Sequence, residues 1–194
     1  MVRWIYPAIT SALWVAWFTY WMVSSRNTKE IARIESAGSR AKHLVPLIVG
    51  CVLFAGPPQL FPSWPWLSMH VLPWNAYTYW TGVALLASGF AFSIWAREHL
   101  GRNWSGIITV KEGHELIRTG PYRWIRHPIY TGLLVAFLGH AIAFNALRCF
   151  LGVLLCAVSL LRKMRIEERF MREQFGDEYS RYAAKTAALL PLVY

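Results

Sequence analysis

The sequence has little charge, and its charge is unevenly placed. Only 15% of the 194 residues are Asp, Glu, Lys or Arg, against about 25% in an average soluble domain. The charged residues stand in a few polar blocks that long uncharged runs separate. Apolar residues make up 56% of the chain, above the usual share of about 45–50%. This composition argues against a soluble domain with a single core and favours a helical membrane protein.

Acidic residues are scarcer than basic ones. Asp and Glu number 10 and Lys and Arg 20, which gives a formal net charge of +10. In a soluble protein this excess would suggest nucleic-acid binding. Here the basic residues flank apolar runs, as the positive-inside rule predicts for membrane proteins, and no basic stripe with interleaved aromatic residues lies outside those runs. We therefore expect contact with membrane lipids and no nucleic-acid partner.

Cysteine is rare, and a glycine-rich nucleotide-binding pattern is missing. Cys51, Cys149 and Cys156 stand within apolar runs, without the short spacing of metal-binding cysteines, so we expect no metal site. The polar stretch from His99 to Gly132 has no strand-then-helix pattern with the glycine fingerprint of dinucleotide-binding folds. This argues against a doubly wound soluble domain.

Five apolar runs predict membrane-crossing helices, each of which needs about 20 residues. The runs are Trp4–Val23, His43–Phe61, Tyr77–Ala96, Ile129–Phe144 and Ala146–Leu161. The last two are slightly short and are separated only by Asn145, which favours a turn, so they predict a tight helical hairpin. The first run follows a single arginine and is rich in aromatic residues, so we expect it to be retained rather than cleaved as a signal peptide. The predicted fold class is an all-α integral membrane protein with about five transmembrane helices.

Three polar blocks predict the orientation of the chain. Residues 24–42 and 97–127 each have a balance of +3, and residues 162–194 have +2. The positive-inside rule places all three blocks in the cytoplasm and the amino terminus outside. We divide the chain into three amino-terminal spans (1–96) and a catalytic region (97–194), which holds the hairpin 129–161 and a carboxyl-terminal amphipathic helix that breaks at Gly176.

Polar side chains cluster where the chain enters the fourth run. Pro128 is a good first residue of a helix, and the free amides behind it, with the positive end of the helix dipole, favour a bound carboxylate. Simpler interpretations are also open. Arg126 could reach lipid phosphates, and the tyrosines could anchor the chain at the membrane interface. The simpler interpretation of His114 is an ordinary surface residue. The cluster consists of His114, Tyr122, Arg126, His127, Pro128 and Tyr130.

A pair of carboxylates follows the last apolar run. Glu167 lies four residues after Lys163, so the two share a helical face, and a carboxylate at the membrane boundary is suited to hold a polar cofactor by its hydroxyl or amino groups. The neighbouring charges predict a solvated face, on which a Glu168→Gln change has almost no effect. That face comprises Glu168, Arg169, Arg172 and Glu173.

Several ordered motifs resemble the signature of the isoprenylcysteine carboxyl methyltransferases. They are His114–Ile117, Gly120–Tyr122, Arg126–Gly132, Glu167-Glu168 and Phe175–Tyr179, and the upstream Leu100–Ser105 also fits. The resemblance covers about half of the chain, from residue 97 to the end. It implies S-adenosylmethionine as the methyl donor, bound at the membrane interface, and the terminal carboxylate of a prenylated cysteine as the acceptor, which enters from the bilayer.

The same resemblance assigns the site residues. The implied donor-binding residues are His114, Glu115, Leu116, Ile117, Tyr122, His127, Pro128, Ile129, Tyr130 and Glu167. The family has a cation four residues before the glutamate, more usually arginine, and here that position is Lys163, with Arg165 close by. We predict that a cation, Lys163 or Arg165, positions the acceptor carboxylate, and the sequence leaves open which of the two does so. A carboxylate is already ionised near neutral pH, so the reaction needs alignment and water exclusion rather than a base.

Three other functions remain open. A phospholipid or amine N-methyltransferase on the same scaffold would need a base and anionic acceptor contacts, against which Arg162, Lys163 and Arg165 argue. A membrane sterol-type reductase using NADPH shares a similar carboxyl-terminal layout. A membrane scaffold without enzymatic activity is the third.

Overall fold

The computed structural model describes residues 2–26, 31–34, 36–104, 109–111 and 115–190, and every structural statement below concerns these residues. They form six α-helices. The helices are α1 (Val2–Ser24), α2 (Ala37–Ala55), α3 (Ala76–Leu100), α4 (Pro128–Phe144), α5 (Leu147–Phe175) and α6 (Asp177–Ala183). Short 3-10 turns cover Pro58–Leu60, Pro65–Ser68, Gly101–Asn103 and Gly120–Arg123.

Local chemistry explains most of the helix ends. The Ser36 side chain accepts a hydrogen bond from the Ser39 amide at the start of α2, and Asn75 does the same for Thr78 at the start of α3, as N-cap residues do. α4 starts at Pro128. α5 ends before Gly176, whose φ of 53° is in the left-handed region that favours glycine.

The sequence predicts three of the five long helices closely and misplaces two. α2 is displaced toward the amino terminus relative to the predicted His43–Phe61, because the helix continues into the basic block and stops before Pro57. α5 does not end with the apolar run at Leu161 but continues as one helix to Phe175. The amphipathic helix predicted after residue 161 is therefore the second half of α5, and its predicted break at Gly176 is confirmed.

Two antiparallel helix pairs pack through glycines. In the α3·α4 pair, a β-carbon on Gly89 would lie 2.4 Å from the Ala136 amide nitrogen, and one on Gly132 would lie 2.6 Å from the Gly89 carbonyl oxygen. In the α2·α5 pair, a β-carbon on Gly152 would lie 2.6 Å from the Gly50 carbonyl oxygen. Small residues let membrane helices approach backbone to backbone, so these glycines allow the close packing within each pair.

Asn145 makes the turn between the two pairs. It adopts a left-handed conformation, with φ of 52°, and is fully buried. Its side-chain oxygen accepts from the amides of Val71 and Leu72 at 3.1 and 2.8 Å, and its amide nitrogen donates to the Leu72 carbonyl at 2.6 Å. A turn lies at this residue, as the sequence predicts, and it also fixes the uncharged loop that precedes α3.

The polar blocks meet at the other end of the molecule. Strand β1 (Ile31–Ile34) pairs antiparallel with strand β2 (Thr109–Lys111), which ties the first block to the second. The all-α prediction missed this short pair, because neither segment has the length or alternation that predicts a strand. Among the described helices, α2 and α3 are long and apolar enough to cross a membrane, and α4 is apolar but shorter. The count of five crossings and the orientation remain predictions.

Candidate active site

A cavity of about 1200 Å³ lies between the helix pairs and is closed on one side by α1. Its polar end contains His127, Lys163 and Glu167, and its opposite end reaches Phe144 and Arg148. Pockets for one small molecule usually have about 300–1000 Å³. The cavity is therefore large enough for a polar ligand at one end and a lipidic ligand along its length.

Nine of the twelve predicted site residues line this cavity. They are Glu115, Leu116, Ile117, Tyr122, His127, Ile129, Tyr130, Lys163 and Glu167. Pro128 is fully buried beside the cavity rather than in its wall. His114 lies outside the described residues.

Arg165 is the predicted site residue that the structure separates from the others. Its side chain is exposed and lines a different groove, between α2 and the opposite face of α5. Successive residues of a helix are 100° apart, so Lys163 and Arg165 differ by about 200° and point away from each other. Of the two candidate cations, Lys163 is therefore the one that lines the cavity.

Glu167 is the centre of the polar end. The Tyr130 hydroxyl donates to its Oε1 at 2.6 Å, His127 Nδ1 lies 3.6 Å from its Oε2, and Lys163 Nζ lies 3.8 Å from its Oε1. The rings of His127 and Tyr130 are parallel, with centroids 5.5 Å apart, and Lys163 Nζ stands 5.6 Å from the Tyr130 ring centroid. A carboxylate, an imidazole, a hydroxyl and an ammonium group thus share one small volume.

Glu168 is not on a solvated face, which corrects the sequence prediction. It is 8% exposed, its Oε1 accepts from Arg126 Nε at 2.7 Å, and its Oε2 accepts from Arg172 at 3.2 Å. Burial alone would raise its pKa, but His127 and Arg126 outweigh that effect and lower the pKa of Glu168 to about 2. Glu168 is therefore an ionised structural anchor behind the site, while Arg169 and Glu173 are exposed as predicted.

The carboxyl-terminal segment holds the start of α4 in place. The amides of Arg126 and His127 donate to the carbonyls of Ala187 and Ala188 at 2.9 and 3.1 Å, and the Arg126 guanidinium donates to the carbonyls of Ala183 and Thr186. These contacts assign Arg126 to the fold rather than to lipid phosphates. Among the described contacts, the amides of Ile129 and Tyr130 have no acceptor, so they are the free amides of this helix start.

Two tyrosines brace the loop before α4. The Tyr182 hydroxyl donates to the Tyr122 carbonyl at 2.7 Å. Burial raises the pKa of Tyr182 to about 12 and also raises the pKa of Tyr122. Both hydroxyls therefore stay protonated near neutral pH, and that of Tyr182 acts as a donor.

Sequence reasoning missed the apolar wall. Trp14, Trp17 and Trp21 of α1 line the cavity, and the indole of Trp14 donates to His140 at 3.0 Å while that of Trp17 donates to Ser93 at 3.0 Å. Their spacing of three and four residues is the signal that places them on one helical face. No pattern in the sequence indicated that this face lines a cavity rather than a core.

Asn103 is a second residue that the sequence did not single out as part of a site. It lines the polar end beside Trp104, and its Oδ1 is buried without a hydrogen-bond partner among the described residues. A buried polar atom without a partner calls for a ligand or an ordered water. The upstream motif Leu100–Ser105 contained the signal, because it carries this residue.

Comparison with known proteins shows the family of the chain. A profile of the phospholipid methyltransferase family matches residues 77–178, which is more than half of the chain. The chain belongs to the phospholipid methyltransferase family. The match includes all but the first residue of α3 and the whole of α4 and α5, and it therefore covers His127, Tyr130, Lys163 and Glu167.

Individual relatives of this family member support the resemblance seen in its motifs. A probable protein-S-isoprenylcysteine O-methyltransferase of Oryza sativa subsp. indica is 33% identical over 96 residues, which are 48% of this chain and 50% of the relative. A methanethiol S-methyltransferase of Mycobacterium tuberculosis is 28% identical over 158 residues, which are 72% of this chain and 62% of the relative. The chain spans about half the length of the rice relative.

A solved structure supports the same fold. The eukaryotic intramembrane Ras methyltransferase, an isoprenylcysteine carboxyl methyltransferase, matches with a TM-score of 0.58 at 21% identity, over 82% of this chain and 55% of that chain. The membrane fold that the resemblance to isoprenylcysteine carboxyl methyltransferases implied is thereby confirmed.

Proposed function

We propose that this family member transfers a methyl group from S-adenosylmethionine to a carboxylate on a prenylated cysteine or a similar lipidic acceptor. The observation that carries the proposal is the continuity of the cavity, which joins the polar cluster around Glu167 to the tryptophan wall of α1. A polar donor and an amphiphilic acceptor need this combination of surfaces in one space.

The residues at the polar end fit the donor. Glu167 is suited to accept from its amino or hydroxyl groups, the amides of Ile129 and Tyr130 to bind its carboxylate, and the buried Oδ1 of Asn103 to accept from an N–H group. When bound, the donor supplies an electrophilic methyl group on a positively charged sulfur. The aromatic ring of Tyr130 and the carboxylate of Glu167 suit a neighbouring positive charge.

Lys163 is the residue we assign to the acceptor. It is 15% exposed and lies at the junction of the polar end and the apolar wall. Its ammonium group lies 3.8 Å from Glu167 Oε1, and an ammonium group in this position is suited to orient an acceptor carboxylate. Because that carboxylate is already ionised, the chain has to align the reacting oxygen and exclude water rather than remove a proton.

The lipid part of the acceptor would lie against α1 and α4. Trp14, Phe18, Leu133 and Phe137 supply an apolar wall, and burying each methylene of a lipid chain contributes about 0.8 kcal/mol. We further propose that the polar end faces the cytoplasm, in accord with the basic blocks of the sequence, so that donor and acceptor enter from different sides.

Methylation of an amine is the second candidate, because Glu115 and Glu167 give the same cavity two carboxylates. An ammonium acceptor must lose a proton before it attacks, and a carboxylate beside it is suited to take that proton. Methylation of a thiol is a third, suggested by the Mycobacterium tuberculosis relative, and would leave most of the apolar wall unused.

An acceptor panel tests these proposals. The purified chain in lipid nanodiscs is incubated with methyl-labelled S-adenosylmethionine and, in parallel, with S-farnesylcysteine, its carboxamide, phosphatidylethanolamine or methanethiol. We expect label on S-farnesylcysteine and none on the carboxamide. Label on phosphatidylethanolamine or methanethiol alone would replace the carboxylate proposal by one of the alternatives. Oxidation of NADPH without label transfer would indicate the reductase.

A further inference from the structure

A second concave surface lies outside the active-site cavity, between the start of α2 and the outer face of α5. Its volume is about 870 Å³. Its upper part is lined by Arg162, Arg165 and Arg169 from α5 and by Ser36 and Ser39 from α2. We call this surface the arginine groove.

The three arginines form a cationic cluster. All three are exposed, and no ion pair or hydrogen bond joins any of them to another described residue. Arg162 and Arg165 are three residues apart and Arg165 and Arg169 four apart, and like charges at these spacings destabilise a helix. Glu173 is the one carboxylate among the described residues that line the groove. An anionic ligand would relieve this repulsion.

The α2 side of the arginine groove adds hydrogen-bond donors. The Ser36 oxygen accepts from the Ser39 amide at 3.4 Å, so the Ser36 hydroxyl hydrogen remains available as a donor toward the groove. Arginine guanidinium groups with hydroxyl donors are well matched to phosphate oxygens, which take several donors at once.

The lower part of the groove is apolar and continues onto an exposed apolar surface. Val158 and Leu161 line it below the arginines. Val158 and Leu154, one helical turn further down, are 53% and 60% exposed, and Val45 and Ile48 of α2 are exposed to a similar extent. The surface therefore changes from cationic to apolar along the direction in which α5 enters its apolar run.

We propose that the arginine groove binds an anionic glycerophospholipid, with its phosphate on Arg162, Arg165 and Arg169 and its acyl chains along Val158 and Leu154. Free phosphate has the same headgroup chemistry, but it would leave the apolar half of the groove uncovered. Basic residues at the membrane boundary attract anionic lipids in general. The converging arginines, the serines and the apolar floor make this a defined site rather than a diffuse charge effect.

Lipid retention by the purified full chain tests the proposal. In a neutral detergent, native mass spectrometry measures the binding of phosphatidylglycerol and of phosphatidylcholine. We expect the wild type to prefer phosphatidylglycerol by roughly tenfold or more. The Arg162→Gln/Arg165→Gln/Arg169→Gln variant should lose most of that preference. The control variant Arg123→Gln/Arg181→Gln/Lys185→Gln removes the same charge from exposed positions outside the groove and should keep it.

Three outcomes would overturn the proposal. The first is equal preference in the wild type and the groove variant, and the second is an equal loss in both charge-matched variants, which would indicate bulk surface charge. The third is that inorganic phosphate displaces phosphatidylglycerol as effectively as a short-chain phosphatidylglycerol does. If the triple variant does not fold, Arg165→Gln alone should reduce the preference several-fold, and an unchanged preference there would also contradict the proposal.

Discussion

Arg126 Nε lies 2.7 Å from Glu168 Oε1, and the two side chains are only 13% and 11% exposed. The pair joins the start of α4 to α5, directly behind His127. Breaking a buried ion pair from one side leaves an uncompensated charge and costs about 3–5 kcal/mol. We therefore expect Glu168→Gln to lower the free energy of unfolding by about 3 kcal/mol, measured by denaturant titration in detergent.

Glu178 provides a matched control for this prediction. It pairs with Arg118 at 3.0 Å, but both side chains are about half exposed, and such pairs contribute roughly 0–1 kcal/mol. Similar small losses for Glu168→Gln and Glu178→Gln would contradict the anchoring role of Glu168.

The same carboxylate predicts a dependence of stability on acid. Its pKa is about 2 in the folded protein, below the ordinary value of 4.5. A depressed folded pKa contributes stability that is complete above the unfolded pKa and is lost as the pH falls toward the folded pKa. We expect the free energy of unfolding to fall between about pH 4.5 and pH 2. Glu168→Gln should show a smaller fall over that range, and identical pH profiles would assign the acid sensitivity to other groups.

Local signals in the sequence were sufficient to predict much of this fold. Uncharged runs predicted the long helices, and Asn145 predicted the turn between α4 and α5 because asparagine tolerates the left-handed conformation. The ends of α2 and α5 were misplaced, because helices in this protein continue past the apolar runs into charged sequence. The pairing of β1 with β2 depends on contacts between distant segments, which no local pattern encodes.

The roles of the charged residues on α5 depend on the rotation of that helix. Glu167 and Glu168 are adjacent, and one turns toward the cavity while the other turns toward Arg126. Neither burial nor partner could be read from the pair alone, so the sequence placed Glu168 in solvent. The opposite directions of Lys163 and Arg165 were predictable, since two residues rotate a helix by about 200°, although the sequence analysis left open which of the two positions the acceptor.

The Asn145 turn predicts a graded response to substitution. Asn145→Ala removes three hydrogen bonds to Val71 and Leu72 and puts a β-carbon without a polar group at positive φ. Each bond contributes about 1 kcal/mol, and more if its buried partner is left unsatisfied, so we expect a loss of about 3 kcal/mol. Asn145→Asp keeps the acceptor for both amides and should lose less. Thermal unfolding in detergent measures the order, and equal losses would mean that the side-chain bonds contribute little.

Glu167 should control donor affinity. If it accepts from a donor hydroxyl or amino group, Glu167→Gln loses on the order of 1.5–3 kcal/mol, the scale of a hydrogen bond to a charged group. The dissociation constant for S-adenosylhomocysteine should then rise roughly tenfold or more, as measured by calorimetric titration. Glu178→Gln serves as the exposed control and should bind normally. Unchanged binding by Glu167→Gln would remove this carboxylate from the donor site.

Substitution of Lys163 should affect acceptor recognition more than donor binding. If its ammonium group orients the acceptor carboxylate, Lys163→Ala should raise KM for S-farnesylcysteine by roughly tenfold, as expected when a charged contact worth about 1.5–3 kcal/mol is lost. The affinity for S-adenosylhomocysteine should change much less, because Lys163 Nζ is 3.8 Å from Glu167 and their contact is weak. Lys185→Ala, at an exposed position away from the cavity, should leave both constants unchanged. A loss of donor affinity equal to the change in KM would show that Lys163 supports Glu167 and does not meet the acceptor.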